Sequence, residues 1–96
     1  MNRLPIETAK EIRAEIARAV KLHGEQVKLP DSVWCCIATE EIGEIAQGLL
    51  KEGFGRGSRG WAEQEKMAKH TDEEIVQLAS VLIHWLTIRR ARKGKR

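Results

Sequence analysis

Ninety-six residues make one small domain, long enough for a modest core and short enough to lean on a partner for stability. Aromatic residues are only 4% of the chain and Pro is confined to Pro5 and Pro30, which favours helices over sheets. No apolar run reaches the roughly 18 residues that a membrane-spanning helix needs. The net charge of +3 is uneven: Arg89, Arg90, Arg92, Lys93, Lys95 and Arg96 are six of the last eight residues. Without them 11 basic residues stand against 14 acidic ones, so the body carries −3 and residues 89–96 read as a basic C-terminal tail. No helix-turn-helix spacing or aromatic RNA-binding pattern accompanies that tail, and nucleic acid is not the expected partner.

The start of the chain, Met1-Asn2-Arg3-Leu4-Pro5, leads into a charged amphipathic stretch and not a signal-peptide core, so a cytoplasmic location is expected. Ile12, Ile16 and Val20 recur every four residues and predict a first helix from about Thr8 to His23, with Gly24 as its stop. Glu25 to Pro30 is a connector. Asp31 or Ser32 caps a second helix running to about Lys51. The adjacent Cys35 and Cys36 are geometrically poor for a mutual disulfide and lack zinc-ligand spacing, so they read as small buried or half-buried side chains. Gly53 to Gly60 holds four glycines in eight residues and reads as a flexible loop. It lacks the Gly-Lys-Ser/Thr ending of a phosphate-binding loop.

After the loop, a short helix is expected at Ala62 to Lys69, then a third long helix from about Thr71 to Arg90. Thr71-x-x-Glu74 has the spacing of a capping box. This last helix is apolar nearly all round, with Ile75, Val76, Leu78, Val81, Leu82, Ile83, Trp85, Leu86 and Ile88. Two opposed apolar faces need two partners, and a three-helix chain supplies one. The expected fold is therefore all-α, three main helices per chain packing into a dimeric or tetrameric bundle.

Three acids stand out within these apolar stretches. Helical residues three apart share a face, so Glu41 and Glu44 can grip one object together. Glu41 falls among Trp34, Ile37 and Ile45, and Glu44 beside Val33 and Ile37, whereas Glu40 falls on the polar side. Glu74 falls between Leu78, Val81 and Trp85. Carboxylates aimed at a core are costly unless paired or bound to a metal, and three of them on two helices point to a divalent-cation site.

At Glu40-Glu41-Ile42-Gly43-Glu44, followed by Glu74-Ile75-Val76-Gln77, the chain resembles the MazG-like, all-α nucleoside triphosphate pyrophosphohydrolases. Their pattern is ExxE on one helix and ExxD on the next, across a variable loop that here gives a gap of 29 residues between Glu44 and Glu74. The resemblance spans residues 30 to 90. It implies a helical dimer or tetramer that cleaves NTPs or dNTPs to the monophosphate and pyrophosphate with Mg²⁺. It implies Glu41, Glu44 and Glu74 as metal ligands at the catalytic centre. Gln77 stands where the pattern has Asp; its amide oxygen can bind Mg²⁺ but adds no negative charge.

The residues fit that chemistry apart from the resemblance. Phosphate-ester hydrolysis calls for a cation to offset triphosphate charge, and Mg²⁺ takes hard oxygen donors. Positive charge on the departing pyrophosphate is expected from cations between the acidic motifs, among them Lys51, Arg56, Arg59 and Lys66, and foremost from Lys51 and Arg59. Trp34 and Trp85 lie at core spacing and read as packing residues, which leaves Trp61 as the base contact. His23 and His70 read as helix-end residues and His84 as a hydrogen-bonded structural histidine. Two other functions are compatible with the chain: a non-catalytic oligomer of the same fold that binds nucleotide or metal, and a small nucleic-acid-binding or regulatory protein acting through its tail.

Overall fold

The computed structural model describes residues 5–24, 26–54 and 60–94. It contains three helices, α1 at Ile6–His23, α2 at Asp31–Phe54 and α3 at Trp61–Gly94, and no strand among the described residues. None of the helices is long and apolar enough to cross a membrane. The all-α expectation therefore holds at the level of a single chain.

α1 opens after Pro5, whose carbonyl accepts the Ala9 N–H at 3.0 Å. The fixed φ of proline suits a helix entry, and Pro5 sits at φ −54°. α1 ends at Gly24, φ +76°, with the Gly24 N–H bonded to Val20 O at 2.7 Å. Glycine adopts that left-handed conformation without the Cβ penalty. Gln26, two residues on, also has positive φ (+56°), alone among the described non-glycine residues. The carbonyl of Pro30 then accepts from Val33 and Trp34 as α2 begins.

α3 packs against both other helices, while α1 and α2 do not pack on each other. Its 34 residues run ~51 Å at the α-helical rise, close to the molecule's 56 Å long dimension. The buried apolar residues among those described are few: Ile12, Trp34, Ile45 and Ile88. Ser80 of α3 lies in this core, its Oγ 2.7 Å from Val76 O and 3.4 Å from Ile12 O of α1.

Several sequence expectations are corrected here. The short helix and the third long helix are one unbroken element, so Thr71 opens nothing and caps nothing. Its Oγ1 donates back to Met67 O at 3.1 Å, as hydroxyls do inside helices. Thr71 is buried where α2 and α3 cross, and a Cβ built on Gly48 would lie 3.0 Å from its Oγ1. The apparent capping box is thus a packing contact, with a glycine opposite where a side chain would be tight. Cys35 and Cys36 are free but exposed.

The basic stretch is also different from a loose tail. Residues 89–94 are the last turns of α3, and two of its arginines fasten the α1–α2 connector. Arg92 Nη1 donates to Asp31 Oδ1 at 3.0 Å, and Nη2 reaches Val27 O at 3.0 Å and Leu29 O at 2.6 Å. Arg89 pairs with the other Asp31 oxygen, and Trp85 Nε1 donates to Oδ1 at 2.9 Å. Three residues of α3 therefore converge on one carboxylate at the start of α2.

Along α3 the expected second apolar face is present: Ile75, Leu82, Ile83 and Leu86 are all exposed in the single chain.

Candidate metal centre and the cavity beside it

Glu74 is the most deeply placed of the predicted ligands, 8% exposed on α3. His70, one turn earlier on the same helix face, holds its Nε2 2.8 Å from Glu74 Oε1. The other oxygen, Oε2, is buried and has no hydrogen-bond partner. His70 is therefore not a helix-end residue. Its spacing from Glu74 is a readable signal, because residues four apart in a helix are neighbours.

Glu74 shares a cleft of about 490 Å³ with Glu44, Lys51, Lys66 and His70, between the second half of α2 and the first half of α3. Lys51 thus lines the same cleft as these two acids. Glu44 is exposed at this cleft, not enclosed in the apolar arc where the helical wheel placed it. Arg59 lies outside the described residues, as does most of the glycine-rich loop. Trp61 is 81% exposed at the first position of α3 and belongs to neither this cleft nor the cavity below.

Glu41 and Gln77 line a different space. A cavity of about 270 Å³ lies among the three helices, with Glu15 of α1, Trp34 of α2 and His84 of α3 also in its wall. Its origin is the topology: α1 and α2 each pack on α3 but not on each other. Glu41 Oε2, like Glu74 Oε2, is buried without a partner. Burial first, then the charges of Glu44, Glu74, Glu15 and Glu40, push the Glu41 carboxyl above its ordinary pKa. Glu15 is an acid the sequence reading missed, since α1 shows no acidic pair in an apolar arc. Arg18 grips it through Nε, 3.2 Å from each carboxylate oxygen.

Glu41 and Gln77 on one side and Glu44 and Glu74 on the other thus do not converge on one point. Among the described residues, no group of three or more His, Cys, Asp or Glu side chains is gathered closely enough to hold a metal ion. Like charges keep carboxylates apart, and the repulsion that raises Glu41 acts between these same groups. The donor chemistry nevertheless suits a hard cation, with two buried anionic oxygens that no protein donor satisfies.

Trp34 is 2% exposed and its Nε1 is likewise buried without an acceptor. His84 meets it edge-on, ring centroids 5.2 Å apart at 73°. Comparison with protein-family models, with curated proteins and with solved structures finds no match for this chain.

Proposed function

We propose that this protein is a divalent-cation-dependent nucleotide pyrophosphohydrolase, cleaving a nucleoside triphosphate to the monophosphate and pyrophosphate, as its ExxE…ExxQ pattern implies. One observation carries the reading: Glu41 and Glu74 each bury a carboxylate oxygen that nothing in the protein satisfies. Leaving a buried carboxylate oxygen without a donor is costly, and a bound cation removes that cost. Glu41, Glu44 and Glu74 would hold Mg²⁺. When bound, the ion offsets triphosphate charge and makes a coordinated water more acidic.

The chain's own residues do the rest. His70 holds one oxygen of Glu74 and leaves the other unpartnered, an arrangement common behind metal ligands. Lys51 and Lys66 line the cleft that holds Glu44 and Glu74 and bring positive charge to the phosphate side. A second copy of the chain belongs to the reading, as a dimer or tetramer. The motivation is the exposed row Ile75, Leu82 and Leu86, which with Ala79 has the four-three-four spacing of helix-pairing seams.

The test is pyrophosphate release from every NTP and dNTP, with Mg²⁺ and with chelator. At least one substrate should be cleaved with Mg²⁺, and Glu74→Gln should abolish the reaction. Mg²⁺ binding without release from any nucleotide would move the protein to the non-catalytic reading. No release and no calorimetric Mg²⁺ binding would overturn both.

A further inference from the structure

The open face of α3 carries a charge pattern as well as an apolar row. Continuing the four-three spacing of Ile75, Ala79, Leu82 and Leu86 gives Glu65, Ala68 and Asp72 before the row, and Arg89 and Lys93 after it. All of these residues are exposed in the single chain except Ala79, which is half-buried. One helix face thus runs from acid through apolar to base. The imbalance reaches beyond the seam. From Trp61 to Glu73 four acids stand against two lysines, Lys66 and Lys69, whereas Leu86 to Gly94 holds four cations and no acid. Glu65, Asp72, Arg90 and Lys93 form no ion pair among the described residues. Arg89 gives Nη1 to Asp31, and a guanidinium keeps further N–H donors beyond that one.

A second α3 can lie on this face in two directions, and charge separates them. Parallel chains set Asp72 beside Asp72 and Arg89 beside Arg89, like against like. An antiparallel copy centred between Ala79 and Leu82 sets Ala79 against Leu82 and Ile75 against Leu86. In the same register Arg89 meets Asp72 of the partner subunit, and Lys93 meets Ala68 of the partner subunit, between its two seam acids. A slip of one heptad either way lays Leu82 on Asp72 or Ala79 on Arg89, so apolar and charge matching select one register. Such a pair is self-complementary, as a two-fold interface must be. The surface dips at both ends of the row. A hollow of about 570 Å³ at the acidic end includes Glu65, Ala68 and Asp72, with Lys66 and Lys69 beside them. One of about 500 Å³ at the basic end includes Leu86, Arg89, Arg90 and Lys93, with Asp31 and Arg92. Each end has room for the other's side chains.

We propose that α3 pairs antiparallel with α3 of a second copy, the two-fold axis passing between Ala79 and Leu82, and that Asp72 against Arg89 and Lys93 against the acidic end set this direction and register. The pairing presupposes the second copy that belongs to the pyrophosphohydrolase reading, but none of its chemistry. The apolar row supplies attraction in either direction, and the charges at its ends choose between them.

Sedimentation equilibrium of the full chain reads the strength of association, and cysteine cross-linking reads its direction. Asp72→Lys turns two symmetry-related attractions into repulsions and should weaken self-association about tenfold, a difference that closes at about 1 M salt. A mixture of Asp72→Lys with wild type should associate less tightly than wild type alone. In a Cys35→Ser, Cys36→Ser background, Ala68→Cys and Lys93→Cys chains are mixed and treated with a short bismaleimide. The linked species should join one chain of each kind. This arm decides if Asp72→Lys loses its helical circular dichroism. Linking of Ala68→Cys or Lys93→Cys chains only to their own kind would overturn the antiparallel direction and leave the assembly. So would a wild-type mixture with Asp72→Lys tighter than wild type alone, because parallel chains gain there. Equal association of folded Asp72→Lys and wild type at low salt would overturn the role of the charges. A wild-type monomer at micromolar concentration would remove the second copy and its direction together. Mixed links in a protein that releases no pyrophosphate support the pairing and remove the hydrolase reading alone.

Discussion

At Glu41, burial and then four neighbouring acids raise the carboxyl above its ordinary pKa. The sign of the consequence follows from linkage. A folded-state pKa above the unfolded one means that the ionised form opposes folding at every pH above the folded value, and that the opposition fades as pH falls through it. Glu41→Gln should therefore unfold at a higher temperature than the wild type at neutral pH, by a margin that shrinks in acid, while losing divalent-cation binding. Glu40 is exposed, and Glu40→Gln should move stability by no more than roughly 0.5 kcal/mol and leave the cation in place. Thermal unfolding and calorimetry of both variants check this; identical behaviour would sink the argument from helix faces. The distinction between Glu40 and Glu41 was legible in the sequence because it depends only on helical geometry. The depth of Glu44 was not, because exposure depends on where α3 runs past it.

Helix pairs make a separate set of claims. A Cβ on Gly48 would meet the Thr71 hydroxyl at 3.0 Å, so that the side chain would have to give way, whereas nothing lies within 4 Å of a Cβ placed on Gly43. Gly→Ala in an open helical position gains up to about 1 kcal/mol. Gly43→Ala should show that gain in the folded chain and Gly48→Ala should not. Gly48→Ala should recover it in a Thr71→Ala background, which a double-mutant cycle of denaturant unfolding measures directly. Here local sequence misled: Thr-x-x-Glu has the spacing of a helix start, and only a residue more than twenty positions earlier reveals it as a crossing point. The same holds for the arginines of α3. They lack apolar periodicity and read as a tail, while their partner Asp31 lies 58 and 61 residues away. Trp85 foremost, then Arg92 and Arg89, hold the Asp31 carboxyl below its ordinary pKa despite partial desolvation. A depressed folded pKa gives stability that is present above the unfolded pKa and lost as pH falls through the folded one. Asp31→Asn should therefore unfold more easily than the wild type at neutral pH, with the difference closing in acid. A chain cut after Ala91 loses Arg92 and its three anchor points, and should melt lower as well.

For the molecule as a whole, the exposed row Ile75, Leu82 and Leu86 sets the expectation of a stable assembly. Each is a little under half exposed, so burying the rest against a partner contributes roughly 1 kcal/mol per side chain. Light scattering should give two or four times the 10.9 kDa chain mass, and Leu82→Lys should shift the population towards single chains. A wild-type monomer at micromolar concentration would defeat this. The order of the long helices was legible from periodicity, though not that the third starts at Trp61 without a break, and the all-round apolar character of α3 anticipated both its packed and its open face. Order of synthesis gives α3 a further significance. Because α1 and α2 meet only through α3, the first half of the chain emerges from the ribosome with no internal surface to fold onto. Until α3 is made, Ile12 lacks its contact with Ser80 and Trp34 its contact with His84, and Arg92 is not there to hold the connector. A chain ended before Trp61 should therefore stay unfolded, a ready client for chaperones and proteases.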